Sequence, residues 1–165
     1  MKINNTGSLP NGWKELLEKN LRLPANYSDD LINHCLESAI SYVEKHLKIA
    51  IVNKNVVETF VRNQKSFYLT FVPTSVSSLK INNEVQVADE DYTLYSNGFP
   101  SFIRLEKTFY ADDILEIDYH VSASGNVNSE VKNAVIMLAS LYFNNPEGIP
   151  HLDLKRINIH LKSIK

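Results

Sequence analysis

Glycine is scarce in this chain, with five in 165 residues, at positions 7, 12, 98, 125 and 148. Neither GxGxxG nor GxxxxGKS/T can be written with them, so a glycine loop cradling nucleotide phosphates is excluded. Cysteine is scarcer still. Cys35 stands alone, so it has no internal disulfide partner and leaves no CxxC pair for a metal, which suits a reducing cytosol. Neither sign of charge dominates: 17 Lys and Arg face 19 Asp and Glu, for a formal net charge of −2. A domain that grips phosphates shows a clustered basic face, and here basic residues thicken only in the closing "LKRINIHLKSIK". Long hydrophobic runs are missing too. The longest, Ala134 to Phe143, is about half of what a membrane crossing needs. The start, "MKINNTGSLPNGWKELLEKN", has Lys2 but no apolar stretch behind it to act as a secretory signal. The expectation is a soluble, single-domain protein spanning 1–165, with no membrane partner.

What is present is ordinary globular material, 44% hydrophobic and 22% charged. Residues 1–27 hold a short amphipathic piece, "WKELLEKN", with Trp13, Leu16 and Leu17 on one side, expected to be a mobile arm or one short helix. Ser28 offers an N-cap, and Asp29 and Asp30 suit the positive end of a helix dipole. Ile32, Cys35, Leu36, Ala39, Ile40, Val43 and Leu47 then recur at three- and four-residue steps, predicting a first main helix over 28–49. Glu37, Glu44, Lys45 and Lys48 fall mostly on its other face.

From 55 to 122 the period changes to two. "VVETFVR", "SFYLTFV", "VSSLKIN", "EVQVA", "YTLYS", "FIRLE" and "ILEIDYHV" are short, rich in β-branched and aromatic residues, and separated by turn signals such as Asn82-Asn83, Asn97-Gly98 and Asp112-Asp113. Such close spacing predicts antiparallel hairpins. Helical period returns over 128–145, capped by Asn128 or Ser129 and stopped at Pro146. In 151–165, Leu154, Ile157, Leu161 and Ile164 have helical spacing, while alternation at Leu152, Leu154, Ile157, Ile159 and Leu161 also permits a strand; helix is the preferred reading. The fold class is therefore α+β: two main amphipathic helices flanking an antiparallel β block, plus a short C-terminal helix.

Catalytic patterns are weak. The histidines at 34, 46, 120, 151 and 160 form no HxH or HExxH pair, and neighbouring helical residues such as His34 and Cys35 point about 100° apart. Ser77-x-x-Lys80 and Ser129-x-x-Lys132 spell SxxK without the companion motifs of serine acyl-enzymes. Asp29-Asp30, Asp89-Glu90-Asp91 and Asp112-Asp113 sit where caps and turns want carboxylates. No catalytic, metal or cofactor residue is assigned, and the chain is not expected to be an enzyme. The aromatic residues crowding the β block, among them Tyr68, Tyr92, Tyr95, Phe99, Phe102 and Tyr110, leave an alternative: a β-rich carbohydrate- or protein-recognition module of a phage tail or baseplate.

Order and spacing carry a more specific signal. Ala39, Tyr42, Val43 and Glu44 close the first helix as A-x-x-Y-V-E; Pro73, Ser75 (one step early), Val76, Ser78 and Leu79 approximate P-x-x-S-V-x-S-V/I/L; Asp91-Tyr92 opens a strand. Val131, Ala134, Val135, Leu138, Ala139, Tyr142, Phe143 and Asn145 follow a closing-helix pattern. In this order, over about residues 20 to 148, the chain resembles the head-tail connector (adaptor, or head-completion) proteins of long-tailed bacteriophages and gene transfer agents. It departs from them in its tail, "INIHLKSIK", where the family often has an LLxPYR-like helix.

The resemblance implies a structural virion protein, assembled in the host bacterial cytoplasm and located at the head-tail interface. About twelve copies would form a ring below the portal protein, extend the DNA channel and meet a stopper or tail-completion protein. DNA would pass without specific binding, and a near-neutral or acidic lumen would keep it from stalling. Glu37 and Glu44 are the candidate lumen-facing residues, and Lys155, Arg156, Lys162 and Lys165 the candidate portal contacts.

Overall fold

The computed structural model describes all residues except 25–26, 62–63, 98–99, 124–126, 149–150 and 165, and only the backbone of 151–154. The expected turn at Asn97-Gly98, the aromatic Phe99 and the candidate Lys165 thus fall wholly or partly outside the described residues. The chain gathers into two compact units, Met1–Ser8 with Lys48–Ala123, and Leu9–Leu47 with Ser124–Lys165.

The first unit is all β. Its strands are β1 (Lys2–Asn5), β2 (Lys54–Phe60), β3 (Ser66–Tyr68), β4 (Ser75–Ile81), β5 (Glu84–Val85), β6 (Tyr92–Tyr95), β7 (Phe102–Leu105) and β8 (Leu115–Val121). They form a five-stranded sheet in the order β1-β2-β8-β4-β5 and a three-stranded sheet β3-β7-β6, with every strand pair antiparallel. β8 lies in the middle of the larger sheet, and its alternation buries Leu115, Ile117, Tyr119 and Val121 on one side. These join Val56 and Leu79 of the same sheet and Phe67, Ile103 and Leu105 of the smaller one in a single apolar cluster. Phe67 anchors it, with Phe60 and Phe109 edge-on at ring-centroid distances of 5.2 Å each.

Strand β4 solves a problem posed by its own sequence. Val76, Leu79 and Ile81 are its apolar residues, yet Val76 and Leu79 are three apart, which in a regular strand would put them on opposite faces. A β-bulge between Val76 and Ser78 supplies the extra residue, Ser77. Val76, Leu79 and Ile81 then pair with Tyr119, Ile117 and Leu115, all on the buried face of β8. The strand ends at Asn82-Asn83, whose φ angles of 50° and 70° are those of a type I′ two-residue hairpin turn. Asn82 is further held by its side chain, which donates to Asp113 Oδ1 (2.7 Å) and accepts from the Ile114 N–H (2.9 Å).

Strand β1 was not legible in the sequence: of the two expectations for residues 1–27, a mobile arm or one short helix, the helix is present at Trp13–Leu21, and this strand precedes it. "KINN" has no apolar alternation and all four residues are exposed, so it is held by its ladder with β2, Lys2 opposite Val57 through Asn5 opposite Lys54. Beyond it the Thr6 and Gly7 N–H groups both donate to the Asn53 carbonyl, at 2.9 and 3.2 Å. Gly7 permits that approach, because a Cβ there would sit 3.0 Å from the Asn53 nitrogen.

The second unit is all helix: α1 (Trp13–Leu21), α2 (Asp29–Leu47), α3 (Ser129–Asn144) and α4 (His151–Ile164). α2 buries all seven residues of its apolar stripe, and Glu44 besides. α3 starts at Asn128, whose side chain accepts the Val131 N–H at 2.8 Å, and ends before Pro146. α1 belongs to this packing: Trp13 and Leu17 are buried, Lys14 pairs with Asp29 at 2.7 Å, and Asn20 donates to Ser140 at 3.1 Å. α4 is a helix, burying Ile157 and Leu161 one turn apart and leaving Ile159 62% exposed, which the strand alternative would have put on their side. Tyr42 of α2 donates to Asn158 of α4 at 2.7 Å.

Candidate assembly surface

The groups that invited a search for chemistry are occupied with structure. Ser77 is the exposed bulge residue, and Lys80 reaches Glu116 at 3.9 Å. Ser129 opens α3 directly after its cap. Among the described residues no three His, Cys, Asp or Glu side chains gather where they could hold a metal ion. Cys35 is buried, and that burial pushes its thiol pKa up, away from the reactive thiolate. Asp113 accepts from the Tyr110 N–H (2.8 Å) and Asp91 from the Val87 N–H (2.9 Å), as turn carboxylates do. Lys107 pairs with Asp91 and, with that N–H, holds its carboxyl below the usual range.

One polar group in the β unit escaped the sequence reading. Alternation from Val56 puts Lys54 and Glu58 of β2 on the inward face, and both are buried. Glu58 Oε1 accepts from the Tyr119 hydroxyl and from the Thr70 N–H (2.9 Å), and the Tyr119 oxygen accepts from the Phe71 N–H (3.4 Å). Burial first, then the Glu58 carboxylate, raises the Tyr119 pKa far above that of a free phenol. Lys54 lies 5.0 Å over the Phe71 ring. These bonds tie strands β2 and β8 to the Thr70–Phe71 backbone. The signal was available, since a period-two count from Val56 lands on both charged residues.

The exposed face of the three-stranded sheet carries an aromatic row. Tyr68, Phe102 and Tyr95 stand opposite one another across β3, β7 and β6. Tyr95 and Phe102 stack with centroids 4.5 Å apart and planes 12° apart, and Tyr68 tilts onto Phe102 at 5.7 Å. The stack hides one face of Tyr95 and one of Phe102, while Tyr68 is 62% and Tyr95 43% exposed. The row reads as cross-strand pairing that stiffens the sheet.

The proposed contact residues separate clearly. Glu37 is exposed on α2, whereas Glu44 is 1% exposed. The placement of Glu44 on the polar face is thereby corrected. Seven residues along a helix return to nearly the same direction, so Glu37 and Glu44 share a side of α2, but what covers each turn is set by tertiary packing, and Glu44 is buried with Ile40, Val43 and Leu47. Lys155, Arg156 and Lys162 are exposed on α4, and Lys165 lies outside the described residues. Lys155, Ile159 and Lys162, at i, i+4 and i+7, form one outward stripe of two cations around an exposed isoleucine. Among the described residues no helix is long and apolar enough to cross a membrane.

The architecture, then, is an α+β chain in which the stretches of the antiparallel β unit alternate in sequence with those of the helical unit. No family model and no curated protein matches it. Solved structures do. A chain of the virion of a native gene transfer agent particle is similar with TM-score 0.60 at 17% identity, over 87% of this chain and 84% of that one. A chain of the neck of the empty particle, computed with C6 symmetry, gives TM-score 0.56 at 17% identity over the same shares. A chain of the neck of the native particle, computed with C12 symmetry, gives TM-score 0.57 at 17% identity over 98% of this chain and 94% of that one. This chain shares the fold of those chains.

Proposed function

We propose that this protein is a structural component of the neck of a phage-like particle: a head-tail connector, or adaptor, that forms a ring below the portal, extends the DNA channel and joins capsid to tail. The observation that carries the reading is the fold likeness along 98% of the chain to a component of a neck computed with C12 symmetry. The motif order from Ala39 to Asn145 supports it independently. A ring of about twelve copies uses two different surfaces per subunit, a heterologous contact closed by rotation. Glu37 is the carboxylate offered to the lumen, where repulsion of phosphates keeps passing DNA mobile. Lys155, Arg156 and Lys162, with Lys165 beyond them, are the portal-facing cations, Ile159 adding apolar contact. The opposite rim meets the stopper or tail-completion protein. Assembly takes place in the host cytoplasm and leaves the protein in the virion.

The test is to mix the purified chain with rings of the portal protein from the same genome and image the product. A second ring stacked on the portal is expected. Portal rings that stay bare at every concentration, alongside particles that assemble normally without this chain, would sink the proposal.

A further inference from the structure

Two surface features, one on each unit, are complementary in charge, and both carry exposed apolar side chains. On the helical unit a cleft of about 520 Å³ opens between α1 and α3. Leu16 and Ile136 form its floor with Met137, which is 47% exposed, while Lys19, Arg22 and Asn133 rim it. Lys14, on the same helix as Lys19, is already matched by Asp29 and Glu18; no ion pair engages Lys19 or Arg22 among the described residues. On the β unit the segment from β5 to β6 projects the opposite chemistry. Val85 is 66% and Val87 52% exposed, and Glu84, Asp89 and Glu90 are exposed around them. Lys107 answers Asp91 and leaves those three carboxylates in excess.

The segment is held in shape before it meets anything. The Gln86 N–H donates to the Leu79 carbonyl (2.8 Å), the Asp91 N–H to the Val87 carbonyl (2.9 Å) and the Asp89 N–H to the Tyr92 carbonyl (2.9 Å). Two bare valines on a braced acidic loop at a sheet edge are costly to leave in water, and an edge strand is an invitation to association. Preorganisation lowers the ordering cost of a contact.

The geometry points to a subunit-subunit contact: the acidic β5–β6 segment of one copy of this chain seats in the α1/α3 cleft of the next. Val85 and Val87 cover Leu16 and Met137, and Glu84 and Glu90 meet Lys19 and Arg22. Loop and cleft are different surfaces, so the contact is heterologous, each copy giving a loop and receiving one. This deepens the ring reading above and rests on it.

Sedimentation velocity across a concentration series at low salt tests the contact. The wild-type chain is expected to associate, more weakly as salt is added. Lys19→Glu with Arg22→Glu, or Glu84→Lys with Glu90→Lys, should each weaken association by about tenfold or more, and the four changes together should restore it. All four substituted positions are exposed, so circular dichroism is expected to be unchanged by the swaps. Association that neither pair disturbs overturns this contact and leaves the ring standing; so does loss in both pairs without rescue in the combination. A wild-type chain that stays monomeric throughout also overturns it, and portal capture then decides the neck reading separately.

Discussion

The Tyr119 hydroxyl donates to the Glu58 carboxylate across neighbouring strands β8 and β2, inside the β unit. The bond makes Tyr119 a sensor of alkaline unfolding. Burial and Glu58 raise its pKa in the folded chain, while the unfolded phenol titrates at about 10. The folded state therefore keeps a proton that the unfolded state releases. Stability should be full below about pH 10 and fall above it, by up to about 1.4 kcal/mol per pH unit. Urea unfolding from pH 8 to 11 checks this, and Tyr119→Phe should flatten the alkaline decline. At neutral pH the same change leaves Glu58 without one donor and should cost roughly 1.5–3 kcal/mol.

The bulge makes a sharp prediction about Ser77. Deleting it would turn Val76 away from Tyr119 and Thr74 and Ser75 with it, since a one-residue slip moves every side chain to the other face. Thermal melts should show a loss of cooperativity or a large drop in midpoint. Ser77→Ala keeps the extra residue and should shift stability by within ~0.5 kcal/mol.

The two asparagines of the β4–β5 turn should respond in opposite directions. Both have positive φ, which glycine adopts without strain. Asn83→Gly should therefore stabilise by ~0.5 kcal/mol or leave stability unchanged. Asn82→Gly removes the bonds to Asp113 and the Ile114 N–H and should destabilise by about 1 kcal/mol. Denaturant midpoints of the two variants decide it.

Helix α4 should separate stability from assembly. Leu161→Ala creates a cavity under the helix and should cost ~2–5 kcal/mol. Ile159→Ser and the pair Lys155→Glu, Lys162→Glu touch the outward stripe and should leave melting unchanged while weakening capture on portal rings. A portal complex insensitive to these changes would remove α4 from the docking surface.

What could be read from residue order follows from the range of the forces involved. The stripe from Ile32 to Leu47 is a local property of a 3.6-residue period, and all seven of its members are buried. The seven strands between Lys54 and Val121 follow from alternation and turn residues in the same way, as do the Asn128 cap and the stop at Pro146. The candidate residues were less legible. Glu37 and Glu44 look equivalent on a helical wheel, and only packing buries one of them.

By itself the sequence determined the kind and limits of nearly every element, because periodicity and capping act within a few residues. The tertiary structure alone decided the rest. β1 has no pattern of its own and becomes a strand only because β2 offers a free edge. Val76 and Leu79 share a face only because β8 pairs with both across a bulge. The two units each join stretches far apart in the chain, Met1–Ser8 to Lys48–Ala123 and Leu9–Leu47 to Ser124–Lys165. Such partnerships depend on what lies across space, and no local window of residues contains that information.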